Sequence, residues 1–130
     1  MLAGMKICDP ETLREITAAF FRYEQALMQD DVATLDALFH QTPETVRYGV
    51  GEVLYGFEEI AAFRKARGGS PQRQLGRVAI ATYGDALATT NAEFFREGST
   101  TRGRQSQTWV KFPEGWKIVS AHVSIEGSTS

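Results

Sequence analysis

Two stretches near the C-terminus limit what this chain can become. Arg104-Gln105-Ser106-Gln107-Thr108-Trp109-Val110-Lys111-Phe112 is followed, after Pro113-Glu114-Gly115, by Trp116-Lys117-Ile118-Val119-Ser120-Ala121-His122-Val123-Ser124. Trp109, Val110, Phe112, Trp116, Ile118 and Val119 are strong β-formers, and Pro-Glu-Gly is a turn. The pair therefore reads as a long antiparallel hairpin. Gln105, Gln107, Ser120, His122 and Ser124 interrupt its apolar residues. Polar side chains set among bulky ones on strands this long suit the wall of a polar-lined cavity.

The N-terminal half is helical. Asp9-Pro10-Glu11 supplies an N-cap, a proline at the first helical position and an acid at the positive end of the dipole. Leu13, Ile16, Phe20, Tyr23 and Leu27 recur at steps of three and four, which makes one buried stripe. Tyr23 lies on that stripe, so its ring faces inward and its hydroxyl needs a partner. It reads equally as a core aromatic and as a pocket residue. Asp31 caps a short second helix with Val32, Leu35, Leu38 and Phe39 on its inner face. A third helix runs from Phe57 to Arg67 and ends at Gly68-Gly69-Ser70-Pro71, a loop that reads as a lid or as a plain connector.

Between the second and third helices, residues 45–53 alternate Val46, Tyr48 and Val50 with Thr45, Arg47, Gly49 and Gly51, as one strand would. Glycines at 49 and 51 leave room beside Arg47 for a ligand carboxylate; a surface arginine on an edge strand is the plainer alternative. The rest is strand: 75–83, then 86–96, then the hairpin. In 86–96, Leu87, Thr89, Asn91, Glu93 and Phe95 share one face, and Ala88, Thr90, Ala92, Phe94 and Arg96 the other. Neither face is purely apolar, so both are expected to be covered, one by helices and one by a second subunit. The order predicts an α+β fold, three helices packed on a strongly curved antiparallel sheet that encloses a conical pocket.

At 130 residues the chain is one domain, 1–130, with 1–8 expected as an N-terminal tail. A net charge of -2 gives no basic footprint for nucleic acid. Cys8 is the sole cysteine, which excludes an internal disulfide and fits a reducing compartment. No run is apolar enough for a signal peptide or a membrane span, so a cytoplasmic location is expected. Neither a phosphate-binding glycine loop nor a dinucleotide fingerprint is present, and two histidines without spaced carboxylates do not suggest a metal site. No cofactor is expected.

Several segments resemble the AtzH-like and HpxZ-like proteins of the SnoaL-like, nuclear transport factor-like superfamily. They are Phe21-Arg22-Tyr23-Glu24-Gln25-Ala26-Leu27, Thr45-Val46-Arg47-Tyr48-Gly49, Phe63-Arg64-Lys65-Ala66-Arg67, Gly103-Arg104-Gln105-Ser106-Gln107-Thr108-Trp109-Val110 and the terminal strand. The resemblance spans nearly the whole domain, and the run from Gly103 to Val110 is its most specific part. It implies the cone-shaped SnoaL-like fold. It also implies a place in the catabolism of oxalurate or of cyanuric-acid-derived ureas: a hydrolase, with or without decarboxylation, for a small carboxylated urea, or a non-catalytic accessory to a partner amidase.

Such a substrate asks for arginine at its carboxylates and for amide or hydroxyl groups at its urea. Arg47 is the first choice of anchor, with Arg104 and Arg67 in reserve. Gln105, Gln107, Asn91 and Ser124 are candidates for the urea. Tyr23 and His122 are candidates for proton transfer, since histidine titrates nearest neutrality. His122 reads alternatively as a core or interface histidine, and the two glutamines as a polar dimer face. Strict alternation puts His122 with Ile118, Ser120 and Ser124, and Gln105 and Gln107 with Trp109. Bulges shift such parity, so which set faces the cavity is left open. An isomerase of the same fold would need a carboxylate base in an apolar pocket, and the polar groups here argue against a steroid-sized ligand. A homodimer through the outer sheet face is expected by analogy of fold.

Overall fold

The computed structural model describes residues 4–127. Its elements are α1 (Pro10–Met28), α2 (Val32–Leu38), β1 (Val46–Tyr48), β2 (Val53–Tyr55), α3 (Phe57–Arg67), β3 (Arg73–Tyr83), β4 (Leu87–Arg96), β5 (Gly103–Phe112) and β6 (Gly115–Ile125). The strands form one six-stranded sheet in the order β2-β1-β6-β5-β4-β3. All neighbours are antiparallel except β1 and β6, which run parallel. Three helices on a curved sheet is the α+β cone that the element order predicts.

Local chemistry sets the boundaries. Asp9 accepts from Thr12 N at 3.2 Å and Asp31 from Thr34 N at 3.1 Å, so both helix starts are capped by aspartate. Those hydrogen bonds hold each carboxyl below its ordinary pKa. Gly68 ends α3 in the left-handed region, at φ 73°. Residues 45–53 are not one strand. Gly49 N donates to Glu52 O at 2.8 Å and closes a turn, so β1 and β2 form a short hairpin. Part of the expected tail is also placed. Cys8 N donates to Thr82 O and Gly84 N to Lys6 O, which ties residues 6–8 to the end of β3. Residues 1–3 lie outside the described residues.

Sheet parity is broken once between β5 and β6. Gln107 opposes Ala121 and Thr108 opposes Ser120, but Trp109 opposes Ile118, which leaves Val119 as an extra residue. Ile118 is thereby turned to the helix side with Trp116, Ala121 and Val123, and all four are buried. Ser120 and His122 face outward and are exposed. On β4 and β5 the inward residues are Thr90, Ala92 and Phe94 with Gln105, Gln107 and Trp109, all buried. The core joins Ile16, Leu27, Leu35 and Phe39 to Trp109 and Ile118.

One packing contact joins the fold to the interior described below. A side chain at Gly103 would fall into the Phe94 ring, so the phenyl occupies the space that glycine leaves open. Gly103→Ala must displace that ring, and an overpacked core of this kind loses about 1–3 kcal/mol. We expect a lower melting temperature with an unchanged far-ultraviolet circular dichroism spectrum. A melting temperature equal to wild type would contradict this packing account.

Candidate active site

Two adjoining chambers lie between the helices and the inner sheet face. Both are lined by Tyr23 and Leu27 of α1, Arg47 of β1 and Arg67 of α3. The first adds Ser70, Arg73, Phe94, Arg96 and Gln105; the second adds Phe63 and Arg64. They are small, about 40 Å³ and 10 Å³, too small for a steroid. Arg73 and Arg96 also border a larger open depression of about 420 Å³ at the start of β3 and the end of β4.

The lining is rich in arginine, and charge pairing divides the arginines into two groups. Arg73 donates to Glu24 through Nε at 3.0 Å and Nη2 at 2.6 Å, and its guanidinium lies 4.4 Å from the Phe94 ring centre. Arg47 Nη1 donates to Glu52 Oε1 at 2.8 Å. Arg64 pairs with Asp36 and lies over Phe39. Arg67 and Arg96 have no carboxylate partner among the described residues. Arg67 donates to Ser70 Oγ at 2.7 Å and stands 5.4 Å from the Phe63 ring centre; Arg47 stands 5.8 Å from the same ring. Burial, and then the Arg47 charge, lower the Arg67 pKa, while Tyr23 and Glu52 oppose them. Two guanidiniums lie at one ring, one of them without a carboxylate partner among the described residues, and guanidinium is the side chain that pairs bidentately with carboxylates.

The glutamines show what else the interior offers. Arg73 Nη2 donates to Gln105 at 3.0 Å, and a guanidinium has only donors, so the atom it meets is the amide oxygen. The Gln105 NH2 group is buried without a partner. A second chain fixes Gln107. Trp109 Nε1 donates to Thr90 Oγ1, whose hydroxyl donates to Gln107 Oε1, both at 3.0 Å, and the Gln107 NH2 is again unpartnered.

The sequence-derived candidates thus divide between two faces. Tyr23, Arg47, Gln105 and the reserve anchor Arg67 line the chambers. Gln107 points inward two residues along from Gln105, from the Thr90–Trp109 chain. His122, Asn91 and Arg104 are exposed on the outer face, and Ser124 shares that face. There Asn91 accepts from Ser106 Oγ at 2.6 Å, and His122 meets the edge of Tyr48. They are corrections to the expected pocket: in β6 the extra residue moves Ile118 inward without bringing His122 and Ser124 with it, and Asn91 and Arg104 are turned outward by the regular alternation of β4 and β5. The space beside Arg47 is corrected too: the Glu52 side chain fills the room that Gly49 leaves.

The sequence did not single out Glu24, Arg73 or Arg96. Glu24 follows Tyr23 on α1 and reads as an ordinary polar helix residue, and its partner is 49 positions away. No local spacing signals that pair. Arginine at the first position of a strand, next to a Gly-Ser-Pro loop, was the available hint.

A family model described as AtzH-like matches residues 5–129. Among curated proteins, none matches the chain. Among solved structures, a DUF3225-family protein of unknown function from Pectobacterium atrosepticum is 54% identical, with a TM-score of 0.90, covering 93% of this chain and 95% of that one. A cystatin-like fold protein from Burkholderia xenovorans is 43% identical, with a TM-score of 0.91 and coverages of 97% and 100%. A nuclear transport factor 2-like superfamily protein from Salmonella enterica is 29% identical, with a TM-score of 0.73 and coverages of 92% and 94%. With its sequence matched almost end to end and its cone shared with these neighbours, this chain belongs to the AtzH-like family.

Proposed function

We propose that this protein is a hydrolase for a small carboxylated urea or ureide in nitrogen catabolism, with the chambers around Tyr23 as its active site. One observation carries the reading: Arg67, without a carboxylate partner among the described residues, shares the Phe63 ring with Arg47 beside Tyr23. An anion of a few atoms would relieve the repulsion between these two charges. Gln105 adds a buried donor for a second oxygen.

The chemistry follows from those groups. Arg67 and Arg47 hold the substrate carboxylate. Where that carboxylate is carried on a urea nitrogen, a proton delivered to the nitrogen lets the N–carboxylate bond break, releasing carbon dioxide and leaving the urea N–H. Tyr23 supplies the proton, and the Arg67 charge stabilises the resulting phenolate until solvent returns the proton. Release of ammonia needs water to attack the urea carbonyl, polarised by the Gln105 amide.

The outer sheet face is proposed as the seat of a homodimer. Tyr48, Val53, Tyr55 and Leu87 are exposed there, beside the polar row Asn91, Ser106 and His122. That apolar-polar mixture suits a second copy of the same face. Sedimentation at micromolar concentration is expected to give twice the 14.4 kDa chain mass, and Val53→Asp with Tyr55→Asp to give one. A monomeric wild type would end this proposal.

Turnover is tested with the purified protein on dicarboxylated urea, carboxybiuret, allophanate and oxalurate, following carbon dioxide and ammonia. We expect release from one of them. Tyr23→Phe should lower kcat about 100-fold, the worth of a positioned proton donor. Arg67→Ala should raise KM about 10- to 100-fold through loss of a charge-assisted hydrogen bond. Turnover unchanged in both variants would remove these chambers as the site. Silence across the panel from folded protein, with an amidase copurifying, would favour the accessory role instead.

A further inference from the structure

We propose that Glu24 and Arg73 are positioning residues that lock the Gln105 amide with its NH2 group as the donor, so that the chamber reads an acceptor oxygen there and rejects an amino group. This rests on the reading that the chambers bind a small carboxylate, and it adds a rule for the other end of the ligand.

The geometry is one-directional. The Arg73 side chain is buried, with 6% of its surface exposed, and so is that of Glu24 at 12%. Its Nε and Nη2 meet the two Glu24 oxygens, and the face of Phe94 fixes its plane. A guanidinium so held donates to Gln105 from one direction only. Turning the Gln105 amide over would set its NH2 against an N–H donor and cost the hydrogen bond. The oxygen is therefore committed to Arg73, and the NH2 stays a donor. That NH2 is buried and unpartnered, on a residue that is 3% exposed and lines the first chamber. A buried donor without a partner is costly, and a ligand oxygen satisfies it. A ligand amino group at the same point would meet it donor to donor. The chamber thus prefers a carboxylate or carbonyl oxygen to an amino group of the same size.

Malonate, malonamate and malonamide test this. They are stable, nearly equal in size, and exchange carboxylate for carboxamide one end at a time. Calorimetry on the 130-residue chain is expected to show malonate binding about tenfold or more tighter than malonamate; the arginines also favour the second charge, so the share lost when Gln105 is changed is what belongs to Gln105. Gln105→Met keeps the length and removes the donor without adding charge, and should reduce that preference to within about twofold. Arg73→Met frees the amide to turn and should reduce the preference to within about twofold, even where affinity for malonate survives. Melting curves establish that each variant is folded. Gln105→Met carries the test if Arg73→Met is not, because it leaves the Glu24–Arg73 pair in place. An undiminished preference for malonate in the folded variants would overturn the proposal, as would no preference, or no binding, in the wild type. Turnover of the urea panel without discrimination would leave the hydrolase and remove the role of Gln105. Discrimination without turnover would do the reverse.

Discussion

The buried Glu24–Arg73 ion pair is the contact on which the interior depends. It joins α1 to the start of β3, and a second tie runs beside it, where Gln72 Nε2 donates to Met28 O at 2.9 Å. Arg73 rests on Phe94, and Phe94 fills the space left by Gly103 on β5. One line of contact thus runs from helix through β3 and β4 to β5. Removing one partner of such a pair leaves a buried charge uncompensated, which costs about 3–5 kcal/mol in measured cases. The pair need not add much net stability to have this effect. What it adds is definition: α1 fixes Tyr23 in the chambers, and the next residue on the same helix fixes the strand opposite.

Pairing also explains how so many arginines fit in so small a space. Arg47, Arg64 and Arg73 each have a carboxylate, and each also lies against an aromatic ring, at Phe63, Phe39 and Phe94. Neutralised cations of this kind shape a wall without setting its net charge. Arg67 differs. Its ring contact and its bond to Ser70 hold it in place, yet no carboxylate among the described residues balances it. Exposed to solvent yet unpaired beside Arg47, that charge makes anion binding favourable there. The small chambers then exclude a large apolar ligand.

Much of the fold was legible because its signals are local. Aspartate caps, a proline at the first helical turn and stripes at three- and four-residue steps each depend on neighbours within one turn of helix. The two faces of β4 were legible for the same reason, since alternation there is unbroken. In the candidate site, Tyr23 and Arg47 could be read because one lies on an apolar stripe and the other is flanked by glycine. Glycine spacing did not reveal that Glu52 folds back over Gly49 onto Arg47. The Glu24–Arg73 pair was illegible because its partners meet only through the tertiary fold. His122 was misjudged for another reason. Its residue type suggested chemistry, but one unpaired residue at Val119 decides which of its neighbours point inward.

Register is therefore as much a part of the candidate site as any side chain. Gln105 and Gln107 face inward while Ser106 between them faces outward, so a slip of one residue in β5 would exchange the buried amides for a hydroxyl. Polar groups on an inner face are normally a liability. Here each amide oxygen has a fixed donor, from Arg73 or from Thr90, and each NH2 remains unmet. A core selected for stability alone would have satisfied those donors or replaced them with apolar groups of like shape. The Thr82 hydroxyl is a third buried group without a partner among the described residues, so the two amides are singled out by their fixed oxygens and not by being the sole unmet atoms. Of these groups only Gln105 lines a chamber, so it is there that an incompletely bonded part of the core and the candidate site coincide.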